Sequence, residues 1–72
     1  MIKPIPLREA RKRAGLTQVE LSRVSGIPQD HISKLEIGVI REPSFATVLR
    51  LANALRIDPR LLRFGSVDQA VA

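Results

Sequence analysis

Two short helical stretches separated by only a few residues constrain this chain more than any other feature. Thr17 and Glu20 form a T-x-x-E capping box, in which each side chain satisfies a free backbone N–H of the other's segment. Leu16 before the cap and Leu21 inside the helix stand at hydrophobic-staple positions. Gly26 ends that helix about two turns later, and another helix begins at Pro28 or Gln29 and runs to Ile37. A connection this short cannot both reverse the chain and lay the helices side by side. The pair must therefore cross steeply, at roughly 90–120°. Such a crossing needs a small residue where the helices touch and a glycine in the turn, and Ser22 and Gly26 supply them. It also needs inward apolar residues, here Leu21, Ile27, Ile32 and Leu35. Each position is common alone; together, at these spacings, they specify a steeply crossed helix pair.

The rest of the chain reads as helix around that pair, with no alternation of β-branched and polar residues and no hairpin turn signal. Pro4 and Pro6 keep the start extended, and Pro6 suits the first turn of a first helix carrying Leu7, Ala10, Arg11 and Ala14 on one face. Gly15 stops it. Val24 is expected to point inward beside Leu21. Gly38 stops the third helix and leads into an exposed connection from Val39 to Pro43. Ser44 caps a fourth helix running to Leu55, whose core face is expected to be Phe45, Val48, Leu51, Ala52 and Leu55. Asp58 and Pro59 read as the cap and first turn of a fifth helix ending near Phe64. The expected fold is thus all-α, a compact five-helix domain over residues 1–65, followed by a short frayed tail over 66–72.

Composition sets the outer bounds. At 72 residues there is room for one domain. A chain of that size buries only about 60% of its unfolded surface, so each apolar side chain matters. The absence of cysteine excludes disulfides and thiolate metal sites. His31 stands alone, without carboxylates spaced to complete a metal site, so neither metal nor cofactor is expected. No apolar run approaches the roughly 20 residues of a membrane span, and the start lacks a signal-peptide core; a cytoplasmic protein is expected. Catalysis has no support either: there is no Ser-His-Asp or Cys-His set, no glycine-rich phosphate loop, and too little chain for a deep pocket. The net charge of +5 fits a polyanionic partner. Its basic excess gathers near the start, at Lys3, Arg8, Arg11, Lys12 and Arg13, where it reads either as a solvated face or as a flank along a nucleic-acid backbone.

Thr17-Gln18-Val19-Glu20-Leu21-Ser22, Gly26-Ile27-Pro28 and Ile32-Ser33-Lys34-Leu35-Glu36-Ile37-Gly38 together resemble the Cro-type, lambda-repressor-like (XRE) helix-turn-helix family. The likeness continues through Pro43-Ser44 and Leu51-Ala52-Asn53-Ala54-Leu55, and so covers about residues 7–63. It implies a double-stranded DNA partner and a recognition helix read from its outward face. Gln29, Asp30 and Lys34 match the base-reading positions, with Pro28, His31 and Ser33 at their margins. Glutamine can bridge adenine N6 and N7, lysine can donate to guanine, and aspartate can accept from cytosine N4. Thr17 and Gln18 open the helix whose positive end meets a phosphate, and Gln18 is also placed to brace the recognition helix. Arg41 and Ser44 match further backbone contacts. Arg11 and Glu36 match an ion pair tying the first helix to the third; in keeping with this, Arg11 falls on an apolar face where an unpaired charge would be costly.

The chain departs from the family pattern in places. Pro28 stands where a capping serine or threonine is usual, Ser25 replaces a larger apolar residue, and Arg56 stands where glycine commonly ends the fourth helix. A single helix-turn-helix makes few base contacts, so the expectation is a homodimer reading half-sites about 34 Å apart as a repressor or autoregulator. Ile57, Leu61 and Phe64 are the expected interface, since Leu61 and Phe64 cannot easily both face the core beside Leu62. The alternative folds Phe64 back onto the first helix. Two other functions stand beside a plain repressor. One is an antitoxin that binds both DNA and a toxin, and the other a protein-binding helical adaptor; an anti-repressor is a further protein partner of the expected kind.

Overall fold

The second helix opens with the two reciprocal hydrogen bonds that its sequence demands. In the computed structural model, which describes residues 3–64, the Glu20 N–H donates to Thr17 Oγ1 at 3.0 Å and the Thr17 N–H donates to Glu20 Oε1 at 2.8 Å. The elements in chain order are β1 (Ile5–Pro6), α1 (Leu7–Arg13), α2 (Gln18–Ser25), α3 (Gln29–Ile37), α4 (Phe45–Leu55), a 3-10 turn (Pro59–Leu61) and β2 (Leu62–Arg63). Gly26 and Gly38 take left-handed conformations that close α2 and α3, with φ of 79° and 91°. Ser44 Oγ accepts the Thr47 N–H at the start of α4. Arg56 closes α4 at φ 57°, a conformation that glycine adopts without penalty and arginine does not.

The chain after Asp58 corrects the expectation of a fifth α-helix. Asp58 does cap the turn beyond it, accepting the Arg60 N–H at 2.8 Å. The Arg60 side chain and that N–H together hold the Asp58 carboxyl down at about 2. A carboxyl lowered in this way keeps its capping role above the ordinary aspartate range, and loses it only as pH falls from about 4 to about 2. The Leu61 N–H then bonds to the Asp58 carbonyl at 2.8 Å, the tighter i to i+3 spacing. Instead of continuing, the chain extends: Leu62 pairs with Ile5 and Arg63 with Pro6 in a two-stranded parallel ribbon. So short a segment is a poor helix nucleus, whereas extension buries Leu62 in the core. Among the described residues the fold is therefore four α-helices with a 3-10 turn and a small strand pair. The expected tail over 66–72 lies outside the described residues.

Leu7, Leu21, Ile32, Leu35 and Leu51 are fully enclosed, with Ala10, Ile27, Ala52, Leu55 and Leu62 around them. Leu16, Ile40 and Ile57 pack on this core from its edge. Four residues expected to face inward lie outside it, one of them Val48, which is half-buried on α4. Val24 is 60% exposed, because Leu21 and Ser25 occupy the inward stripe of α2. Phe45 is 74% exposed, because it is the first residue of α4 and precedes the part of the helix that crosses the core. Ala14, expected on the inner face of α1, is exposed at its C-terminal end.

The turn between α2 and α3 is fastened by two serines. Ser22 Oγ donates to the Ile27 carbonyl at 2.6 Å, and Ser25 Oγ accepts the Ile27 N–H at 3.1 Å. Both backbone groups of a buried turn residue are satisfied in this way. Ser25 thus replaces apolar bulk with a hydrogen bond that fixes the path into α3.

Candidate nucleic-acid interface

A continuous chain of polar contacts runs from the interior to the start of α3. Arg11 Nε donates to Glu36 Oε2 at 2.7 Å and Arg11 Nη2 donates to Glu36 Oε1 at 3.1 Å, a two-pronged pair. The two side chains are only 10% and 3% exposed. Arg11 Nη1 also donates to the Leu16 carbonyl, which fixes the guanidinium against the loop before α2. Gln18 Nε2 then donates to Glu36 Oε1 at 3.0 Å, and Gln29 Nε2 donates to Gln18 Oε1 at 3.4 Å. A carboxylate only accepts, so Glu36 requires the Gln18 amide nitrogen to face inward. The Gln18 oxygen is left outward, and Gln29 must meet it with a donor. One buried ion pair therefore sets the orientation of two glutamines, the first residues of α2 and α3.

The sequence offered Gln18 two roles, phosphate contact or brace; its two amide bonds are those of a brace. The Glu36 half of that brace has no signature in local sequence, because residues 18 and 36 sit on different helices. The one available signal was the ion pair itself, since a buried carboxylate with two oxygens has room for a further donor.

The outward face of α3 is polar. Gln29, Asp30 and Lys34 are exposed, Ser33 is half-buried, and Lys34 Nζ lies 3.2 Å from Asp30 Oδ2. Pro28 occupies the N-cap at φ −56° and ψ 142° without a side-chain cap; its carbonyl accepts the His31 and Ile32 N–H groups. His31 is half-buried with its Nε2 enclosed and without a hydrogen-bond partner, so it is not turned outward with Gln29 and Lys34. Arg41 is exposed in the connection before α4, near in sequence to the α4 cap at Ser44. Thr17 is exposed at the start of α2, its hydroxyl held by the capping box. On α1, Arg8 and Lys12 are exposed, and Arg13 pairs with Glu9.

The residues expected at a dimer interface are distributed differently from the sequence expectation. Leu61 sits in the 3-10 turn and Phe64 just beyond β2, so no helical face joins them. All of Ile57, Leu61 and Phe64 are half-buried, and Ile57 and Phe64 pack against the core. Among the described residues no group of His, Cys, Asp and Glu could hold a metal ion. No described helix is long and apolar enough to cross a membrane.

The chain is 40% identical over 52 residues to an uncharacterized HTH-type transcriptional regulator, y4dL, of Sinorhizobium fredii. That match takes in 72% of this chain but only 26% of the relative, so the chain spans about a quarter of that relative's length. No solved structure matches significantly. A helix-turn-helix family model matches residues 7–62, the span from the first residue of α1 to Leu62 of β2. With α2 and α3 joined by a three-residue turn, an outward polar α3 and this match over most of its length, the chain belongs to the XRE-type helix-turn-helix family.

Proposed function

We infer that this chain is the sequence-specific DNA-binding module of a transcription regulator, acting as a repressor or autoregulator on a palindromic operator bound by a two-fold dimer. The observation that carries this reading is the orientation of Gln29. One of its amide hydrogens is used on Gln18, leaving the other hydrogen and Oε1 free. A donor and an acceptor side by side match adenine N7 and N6 in the major groove. A braced side chain also loses less conformational entropy on binding than a free one. Around it, the starts of α2 and α4 offer positive helix ends to phosphates at Thr17–Gln18 and Ser44, with Arg41 as an exposed cation between α3 and α4. Ser33 and Lys34 continue the reading face, and Pro28 and His31 border it.

Binding-site selection from random duplexes, followed by anisotropy titrations at several salt concentrations, tests the reading. Affinity should fall steeply with salt, with a log–log slope of about −0.9 per neutralised phosphate. Gln29→Ala should lose preference for adenine at one position of each half-site, by about 1–3 kcal/mol, and leave the salt slope unchanged. A salt-independent interaction, or an equal loss on every sequence, would count against base reading by Gln29.

Dimerisation follows from the small number of bases that one recognition helix reaches. We assign the interface to the 3-10 turn and its neighbours, Ile57, Leu61 and Phe64, because half-buried leucine and phenylalanine side chains there leave apolar surface to cover. Leu61→Asp should convert a dimeric parent to monomers in size-exclusion chromatography with light scattering. An unchanged mass would place the interface elsewhere.

A further inference from the structure

Asp30 and Lys34 stand one turn apart on the outward face of α3, with Lys34 Nζ 3.2 Å from Asp30 Oδ2. Their side chains are 80% and 48% exposed. In the free protein such a pair contributes little, because water solvates each group nearly as well as its partner does. In a groove from which water is excluded the situation changes. A lone carboxylate between phosphates is strongly disfavoured, whereas a carboxylate already holding an ammonium is a neutral unit with a defined polarity. We propose that Asp30 and Lys34 act as one unit that reads a single G·C base pair, Lys34 donating to the guanine and Asp30 accepting from the cytosine paired with it. This rests on the DNA-binding reading above and adds to it the identity of one base pair and the coupling of two side chains.

The spacing is what selects a single pair. Guanine O6 and the cytosine N4 amine are hydrogen-bonded to each other, so they lie about 2.9 Å apart. The ammonium nitrogen and carboxylate oxygen are 3.2 Å apart, so donor can face acceptor and acceptor can face donor across one base-pair edge. An ammonium carries three N–H donors, so Lys34 can turn one to the neighbouring Asp30 carboxylate and two to guanine O6 and N7. The Asp30 carboxylate keeps lone pairs for the cytosine N4 hydrogen that base pairing leaves unused.

The other pairs fit less well. An A·T pair also sets a donor, adenine N6, beside an acceptor, thymine O4. Beyond O4, however, lies the thymine methyl instead of a second acceptor, so one ammonium hydrogen would face a methyl group. In the reversed pair, C·G, the ammonium would face an amine and the carboxylate a carbonyl. An acid on this face would repel phosphates on every sequence if it stood alone; tied to Lys34, it discriminates.

The test is binding-site selection with the parent, Asp30→Ala, Lys34→Ala and the double variant. Both side chains are exposed, so all four proteins should melt alike, which circular dichroism checks. The parent should select one G·C pair in each half-site. Each single variant should lose that preference roughly tenfold or more at the same position, and the double variant should lose no more than either single. The inference is overturned if the single variants relax different base pairs, if their losses add, or if Asp30→Ala tightens binding on all sequences alike. A parent that selects a sequence without such a G·C pair overturns this inference alone. A parent that selects no sequence overturns the DNA-binding reading, and this inference with it.

Discussion

Replacing Glu36 with alanine should remove about 3–5 kcal/mol of folding stability, the usual result of taking one partner from a buried ion pair. A domain of this length has roughly 4–11 kcal/mol in total, so the variant should lose at least about a quarter of its stability and melt well below the parent. The cause is less the lost attraction than the group left behind. Arg11 would keep its bond to the Leu16 carbonyl, but its other nitrogens would be enclosed without an acceptor. Replacing both partners with apolar residues, Arg11→Met with Glu36→Leu, should recover much of the loss, since neither charge then remains buried. That double variant separates folding from recognition: Gln18 would have no carboxylate to orient it, so a stable domain should still bind its DNA less selectively. Urea denaturation reads the first effect and binding-site selection the second. A loss below about 1 kcal/mol for Glu36→Ala would mean that the pair is solvated in the native protein.

Leu51→Ala should cost about 2–5 kcal/mol, whereas Phe45→Ala, six residues earlier on the same helix, should change stability by no more than about 0.5 kcal/mol. Leu51 is fully enclosed where α4 crosses the core, and removing its side chain leaves a cavity that its neighbours fill only in part. Phe45 projects from the first turn into solvent. Hydrophobicity alone ranks the two in the opposite order, which makes the contrast informative. Thermal or chemical melts of the two variants side by side would read it, and comparable losses would show that Phe45 is covered in the folded protein.

The contrast also shows what could be read from the sequence. Helix starts and stops were legible because they depend on residues a few positions apart: the Thr17–Glu20 box, Gly26, Gly38 and the Ser44 cap all act locally. The inward residues Leu21, Ile32, Leu35 and Leu51 were legible from helical spacing. Val24 and Phe45 were misplaced because period alone does not say where along a helix its neighbours begin and end. The outward position of Asp30 and Lys34 follows from the same spacing, since they lie on the side of α3 away from Ile32 and Leu35, with Gln29 on its flank at the first residue of the helix.

Other features depend on contacts between residues far apart in the chain. The Arg11–Glu36 pair joins residues 25 positions apart and was foreseen only through the family resemblance. The Gln18–Glu36 bond escaped notice because nothing local requires it. The strand pair escaped notice because two residues carry no periodicity, and Pro6 lacks the N–H that would announce a strand. In the sequence Ser22 reads as a small contact residue and Ser25 as lost apolar bulk; their bonds to Ile27 depend on how the turn folds back on α2.

The ribbon formed by Ile5–Pro6 and Leu62–Arg63 gives the domain a clasp at its opposite sequence ends. Shortening the chain to the helices alone would open that clasp and uncover Leu62 together with its neighbours. Ile5 and Pro6, ahead of the first helix, therefore belong to the folded unit, and a fusion partner or affinity handle is best attached upstream of Ile5, where the ribbon can still close.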